Sequence, residues 1–259
     1  MKRRKFLILT GSNTILSLGL NSCNTHHTKP VALTVSAAAV FRDVMVEVGR
    51  VYAEEKTNIF VNYNITGGGV LKKQIELGAP VDIYLPASAK PMNELQSKGF
   101  ILEDSRQNFM KNEIVLISLN NFSGISSFPE LLNSSVKRVA LGTENIDAGI
   151  YAKEILDFFK IYDQVKPKGI FEEQDVQQIL KYVESGHADV GITFLTEAKR
   201  SKKVKILAMS PVGSHAPVVS TIAIVKHSKH IAESRKFINF LRSNRAISIF
   251  EKFGFMKIK

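Results

Sequence analysis

The sequence predicts an α/β fold of two mostly parallel sheets, flanked by helices and joined by crossing strands. Three observations predict it. Short β-branched runs alternate along the chain with amphipathic segments of helical period. The alternation is regular, as strand–helix–strand units of parallel sheets require. Two longer apolar runs, at 112–119 and 218–225, stand where the chain would pass from one sheet to the other. Such an organisation is bilobed. A ligand then lies in a cleft at the carboxyl ends of strands, against helix N-termini.

The elements follow in order. VALTVS (31–36) reads as a buried strand. In 41–54, Phe41, Val44, Met45, Val48 and Tyr52 fall on one helical face. IFVNYN (59–64) is a second strand, and Gly67-Gly68-Gly69 opens a helix carrying Val70, Leu71, Ile75 and Leu77. Gly78-Ala79-Pro80 stops that helix before the strand VDIYL (81–85). A short helix, 90–100, leads to the long strand 112–119 and then to RVALG (138–142). The helix 148–160 places Tyr151, Ile155, Phe158 and Phe159 at helical spacing, and 175–186 gathers Val176, Ile179, Leu180 and Val183. DVGITF (189–194), VKILAM (204–209) and VVSTIAIV (218–225) are strands, and helices at 230–242 and 244–253 follow. The pattern divides the chain into one lobe of 31–114 with 218–259 and a second of 115–217.

Composition excludes several classes. The 259 residues are 44% hydrophobic and 23% charged, with ordinary glycine and proline, which excludes disorder and collagen-like repeats. One cysteine excludes a disulfide framework and a multi-cysteine zinc site. No apolar run reaches the length of a membrane span. Lys2, Arg3, Arg4 and Lys5 supply four of the net +11 charges, leaving a diffuse +7 that suits acidic surroundings or an anionic ligand and does not by itself argue for nucleic acid.

Residues 1–22 read as a secretion signal: a charged start, KRRK, then a mildly apolar stretch ending in small residues. The Arg3-Arg4-Lys5-Phe6-Leu7 order resembles a twin-arginine signal. Leu20-Asn21-Ser22-Cys23 resembles a lipobox, making Cys23 the lipidated first residue of the mature chain, with 23–30 as a polar tether. The expected location is periplasmic or at the cell surface, with membrane contact through the lipid alone.

Four strand-to-helix turns are candidates for the cleft: Ser36–Val40, Thr66–Gly69, Asp147–Gly149 and Glu173–Val176. Small residues there let a ligand approach backbone N–H groups, whose partial positive charge suits an anion. The chain has no nucleophile-elbow, phosphate-loop, dinucleotide or zinc-protease motif. His187 reads as a helix-end group and His215 as a solvated loop residue. The expectation is a binding protein without covalent chemistry, metal or cofactor.

Five strings then carry a resemblance: TVSAAAVF, LKKQIELGAPVDIYLPAS, DAGIYAKEIL, EEQDVQQILKYVESGHADVGITF and EKFGF. In order and spacing, from about residue 31 to 259, they resemble the periplasmic molybdate-binding proteins of ABC importers. The resemblance implies the type 2 periplasmic-binding fold, a tetrahedral oxyanion held by hydrogen bonds in the hinge cleft, and delivery to an ABC permease subunit by a monomer. It assigns ligand positions to Val40, Gly68, Ala148, Val176 and Phe194, with Ala39 and Gly69 beside them.

This chain departs from the family at the side-chain donors. A serine is usual at Val40 and at Gly68, and a tyrosine at Phe194. The backbone positions Ala148 and Val176 are kept, and Asp147 replaces a proline, adding an N–H and a carboxylate. A hydrogen bond to a charged group contributes about 1.5–3 kcal/mol, so losing three without compensation weakens binding steeply. Ser36 and Thr66 are candidate replacement hydroxyls. Thr193 neighbours Phe194 in a strand and so faces the other way. The ligand expected is a molybdate- or tungstate-like oxyanion. The other reading is a non-transport sensor or scavenger of the same fold with a changed pocket.

Overall fold

The computed structural model describes residues 29–55, 57–172 and 176–258. The candidate signal, Cys23 and residues 173–175 lie outside them. β1 (Val31–Ala38) passes through a 3-10 turn (Ala39–Phe41) into α1 (Arg42–Ala53). β2 (Ile59–Thr66), α2 (Gly68–Glu76), β3 (Ile83–Leu85), α3 (Ala89–Ser97) and β4 (Gln107–Lys111) follow. The chain continues through β5 (Ile114–Leu119), β6 (Val139–Gly142), α4 (Asp147–Phe158), α5 (Tyr162–Val165), β7 (Gly169–Glu172) and α6 (Val176–Glu184). Next are β8 (Val190–Phe194), α7 (Leu195–Ala198), β9 (Val204–Met209) and β10 (Val219–Ile224). α8 (Ile231–Leu241), α9 (Asn244–Lys252) and β11 (Met256–Lys257) end the described chain.

Among the described residues the strands form two sheets, in the orders β11-β4-β10-β3-β1-β2 and β7-β6-β8-β5-β9. β2, β1 and β3 run parallel, as do β7, β6 and β8. β10, β4 and β11 join the first sheet antiparallel, and β5 joins β8 and β9 antiparallel. The sheets are thus mixed, more so than the sequence reading expects. The reason lies in the crossings, which bring the chain into each sheet running against its parallel strands. β4, β7 and β11 had no sequence signal strong enough to be read. Ile114, placed with the first lobe on sequence, is the first residue of β5 in the second sheet.

Parallel strands covered on both faces should be apolar nearly throughout. β1 shows this: Leu33, Val35 and Ala37 are buried against α1, α8 and α9, while Tyr84 of neighbouring β3 belongs to a separate cluster under α2 and α3. On α1 the predicted stripe is buried as spaced, from Val44 and Met45 through Val48 to Tyr52. Phe41 stacks on Phe255 at 4.8 Å between ring centroids, so the C-terminal segment pins the turn after β1. On α4 Ile155 is buried and Tyr151 and Phe159 pack on the core as predicted, joined by Ala148, Ala152 and Leu156, while Phe158 is exposed.

Each parallel trio has its first strand in the middle, so the connections leave β1 and β6 in opposite directions. That reversal opens a crevice at the carboxyl ends of β1 and β6. The two halves are joined there. Asn112 is buried at the first crossing, its backbone N–H donating to Val218 O (3.0 Å) and its side chain to Thr196 Oγ1 (2.9 Å). Gly254, at φ +92°, turns the chain against α7, where an added Cβ would meet Leu195 O and the Thr196 backbone at 3.2 Å. This accounts for the glycine of EKFGF.

Candidate ligand-binding cleft

The turn after β1 comes first. Ala38 is extended (φ −61°, ψ 151°) and Ala39–Phe41 tighten into a 3-10 turn before α1. Phe41 is fully buried, while Ala39 and Val40 are half-buried. Val40 lines a small cavity with Ala87, Met110 and Asn112 from its own half and Phe194 from the second sheet. Val40 and Phe194 are therefore brought together across the junction, and neither carries a hydroxyl.

Thr66 ends β2 opposite Ala38 in the β1–β2 register, beside that turn. Gly67 caps α2, and the first N–H groups with helical acceptors are those of Val70 and Leu71, both on Gly67 O. The N–H groups of Gly68 and Gly69 thus fall among the donors that a helix start leaves without intrahelical partners. A Cβ on Gly67 or Gly69 would meet nothing within 4 Å. Packing does not demand glycine at those two positions, and their backbone is open to approach.

Gly149 is different. A Cβ there would collide with the carbonyls of Gly142 and Thr143, so only glycine lets α4 sit directly on the end of β6. Ile146 caps this helix, and Gly149 N is the first bonded donor, to Ile146 O at 3.0 Å. The N–H groups of Asp147 and Ala148 precede it, and Ala148 is buried. Burial pushes the Asp147 carboxyl above the usual carboxylate range, opposed by the nearby Ser88 hydroxyl and by the charge of Lys90. Ser88 is the cap residue of α3.

One turn further along α4 is Tyr151, which the sequence reading placed only on a packing face. Its ring lies edge-on to Phe194 at 6.2 Å and to His215 at 5.4 Å. Burial, with the charges of Asp147 and Glu154, pushes its phenol up to about 12. His215 is half-buried rather than solvated. Its Nδ1–H donates to Ala216 O (2.7 Å), and its Nε2 stands 2.8 Å from Ser210 Oγ. Ala216 N–H donates to Glu154 (2.7 Å), so the second crossing is braced on α4.

The remaining candidates divide. Val176 opens α6 and packs on the second core. Ser36 is fully buried, and its hydroxyl accepts from Asn64 Nδ2 at 3.1 Å. Asn64 also donates to Gln74 Oε1 of α2, so the Ser36 oxygen is tied into the β2–α2 layer as an acceptor, and its own O–H is left to donate. Thr193 is buried with an unpartnered hydroxyl, one residue before Phe194. Sequence reasoning missed Ser88, Asn112 and Tyr151. The Asp147–Tyr151 spacing of four, one turn of helix, was the available signal for Tyr151.

Chemically, the cleft offers backbone N–H groups at helix starts, apolar walls and one carboxylate. Such donors suit an anion held by hydrogen bonds. Among the described residues, no group of three or more His, Cys, Asp or Glu side chains is placed to hold a metal ion.

Comparisons with known proteins place this geometry among relatives. The family model of bacterial extracellular solute-binding proteins matches residues 33–256. A candidate ABC transporter substrate-binding lipoprotein of Bacillus subtilis, YvgL, is 36% identical over 96% of this chain and 94% of its own. The molybdate-binding protein ModA of Haemophilus influenzae is 33% identical over 86% of this chain and 89% of its own. A solved structure, the substrate-binding domain of a candidate molybdenum ABC transporter from Clostridium difficile, superposes with a TM-score of 0.81 at 33% identity. It covers 88% of this chain and all of its own length.

Proposed function

The chain belongs to the bacterial extracellular solute-binding proteins, and from that premise we propose that it captures a molybdate-like oxyanion in the cleft between its halves and delivers it to an ABC permease. The observation that carries this reading is the meeting of the two crevices. The turn after β1 and the end of β8 share one cavity through Val40 and Phe194. Names borne by relatives on both sides of the comparison, molybdate-binding protein and substrate-binding lipoprotein, support the same ligand class and role.

In this proposal the lobes are 31–113 with 218–259, and 114–217, since Ile114 belongs to the second sheet. The anion is held by backbone N–H groups of Ala39, Val40, Gly68, Gly69, Ala148 and Val176, with Phe194 as a wall and Ser36 and Thr66 as replacement hydroxyl donors. The protein acts as a monomer tethered by lipid on Cys23. The apolar replacements at Val40 and Phe194 favour a second reading, a sensor or scavenger with a changed anion preference. Calorimetric titration with molybdate, tungstate, phosphate and sulfate tests the ligand class. Binding of molybdate or tungstate supports the proposal, and a protein that is folded yet silent to all four would refute it. Acyl labelling should be lost in Cys23→Ser, and labelling that persists would remove the anchor.

A further inference from the structure

The end of the first half that points away from the cleft carries a basic surface held in place by a buried carboxylate. The cleft lies at the carboxyl end of β1, so the starting ends of β1 and of parallel β3 form the opposite end. β10 runs against them, and Val225 N–H, just past β10, donates to Asp82 O (2.9 Å), just before β3. The turn Lys226-His227-Ser228-Lys229-His230 therefore sits at that opposite end. Buried Asp82 pins it there. One of its carboxylate oxygens accepts from Thr34 N–H of β1 (2.8 Å), the other from the Ser228 hydroxyl (2.6 Å). Ser228 Oγ in turn accepts from His230 N–H (3.1 Å), at the entry to α8. Lys226 and Lys229 are left exposed.

α8 packs at the same end. Tyr52, in the last turn of α1, stands edge-on to Phe237 at 4.9 Å and tilted to Phe240 at 4.8 Å. The buried side of α8 is Ser234, Phe237, Ile238 and Leu241, and Arg235, Lys236 and Arg242 are exposed. Arg106, at the entry to β4, joins Arg235 and Arg242 around a polar pocket of about 260 Å³. Asp104 is taken by Arg235 (2.7 Å), and Glu54 and Glu55 by Arg245. Among the described residues, Lys226, Lys229, Lys236 and Arg242 have no carboxylate partner. Against them stand only Glu103 and Glu233 on the same segments. The tether leaves from this end too. Lys29 O accepts from Asn58 Nδ2 (2.9 Å), and Ala32 and Thr34 of β1 line one cavity with His227, Lys229 and His230. From Lys29 back to Cys23 the chain reaches at most roughly 20 Å.

We propose that this end of the first half is a docking surface for the headgroups of anionic phospholipids, a membrane contact beyond the lipid itself. Lys226, Lys229, Lys236 and Arg242 meet the headgroup phosphates, and the pocket between Arg106, Arg235 and Arg242 admits one of them. Each cation held near an anionic bilayer adds attraction, which fades within a Debye length. A short tether and a basic patch on the same end act together, as paired membrane signals do. A chain resting on this end keeps its cleft, at the other end of β1, clear of the bilayer and open to ligand. The contact is electrostatic, so the chain leaves it without breaking a packed interface. The inference rests on the reading of Cys23 as the anchor for the nearness of the membrane.

The test is co-sedimentation of the mature chain carrying Cys23→Ser, so that no acyl group contributes, with two kinds of vesicle. One is phosphatidylcholine alone, and the other is about one-third phosphatidylglycerol. The expected result is binding to the mixed vesicles only, weakened by salt. Lys226→Glu, Lys229→Glu and Arg242→Glu together should weaken it by at least about a hundredfold, since each cation near the surface is worth roughly fivefold. Lys181→Glu, Lys202→Glu and Lys203→Glu, all exposed on the second half, change the net charge equally and should keep most of the binding. Circular dichroism checks that both triple variants are folded. Equal losses in the two would assign the binding to net charge and overturn the proposal. So would wild-type protein that ignores the mixed vesicles or binds both kinds alike. Acyl labelling of Cys23 decides the anchor separately, and binding to the mixed vesicles without labelling would remove the anchor while leaving the surface standing.

Discussion

Arg200, just beyond α7, places Nη2 3.0 Å from Asp43 Oδ2 in the first turn of α1, and this ion pair ties the second half of the molecule to the first. The same guanidinium lies 3.6 Å from Glu197, whose side chain is only 1% exposed. Arg200 thus serves one half-exposed carboxylate across the junction and one buried carboxylate on its own turn.

The two carboxylates give the two partners unequal weight. Asp43→Asn removes a partly exposed pair and should cost no more than about 1 kcal/mol, less in high salt. Arg200→Ala also leaves the buried Glu197 without that neighbouring cation, and should cost on the order of 2 kcal/mol more. Denaturant unfolding of the two variants checks this. Equal costs would mean that Glu197 does not depend on Arg200.

Val40 and Phe194 line one cavity without a hydroxyl between them. Val40→Ser with Phe194→Tyr should therefore strengthen molybdate binding, since each new bond to the anion contributes about 1.5–3 kcal/mol when its geometry is right. The gain should be at least about tenfold and absent for neutral solutes. Weaker binding than wild type would show that the native pocket is organised around other donors, with Thr66 the next residue to test.

The glycines at the two helix starts should behave oppositely. Gly149→Ala drives a Cβ into the carbonyls of Gly142 and Thr143, so it should destabilise by more than about 2 kcal/mol and displace the α4 N-terminus. Gly69→Ala enters open space and should leave folding unchanged or slightly improved, because alanine is the better helix residue. Its cost should fall on anion affinity, as the methyl narrows the approach to the backbone. Thermal unfolding and calorimetry on both variants separate the effects. A Gly69→Ala protein of unchanged affinity would remove the α2 start from the site.

Much of this was legible in the sequence because parallel strands and amphipathic helices write strong periodic patterns. The stripe on α1 and the triple glycine before α2 are examples. β4 and β7 were not legible: QNFMK and GIFE are short, mixed in polarity and set by their partners. The face of α4 was read in part: Ile155 is buried and Tyr151 and Phe159 pack on the core as spaced, but Phe158 is exposed, and the small residues Ala148 and Ala152 complete what the close approach to β6 buries. Ser36 was a reasonable donor on sequence, and only the structure shows its oxygen also accepting from Asn64 in the Asn64–Gln74 chain. Contacts between halves, such as Arg200 with Asp43, join residues far apart in sequence and leave no local signal.

The central claim is that one anion contacts both halves and so favours their closed arrangement. A ligand shifts such an equilibrium only through its differential affinity for the two states. Small-angle scattering of the mature protein with and without saturating molybdate or tungstate tests this most directly. The account predicts a smaller radius of gyration with the anion that binds by calorimetry, and no change with a neutral solute. An anion that binds tightly and leaves the radius unchanged would contradict it.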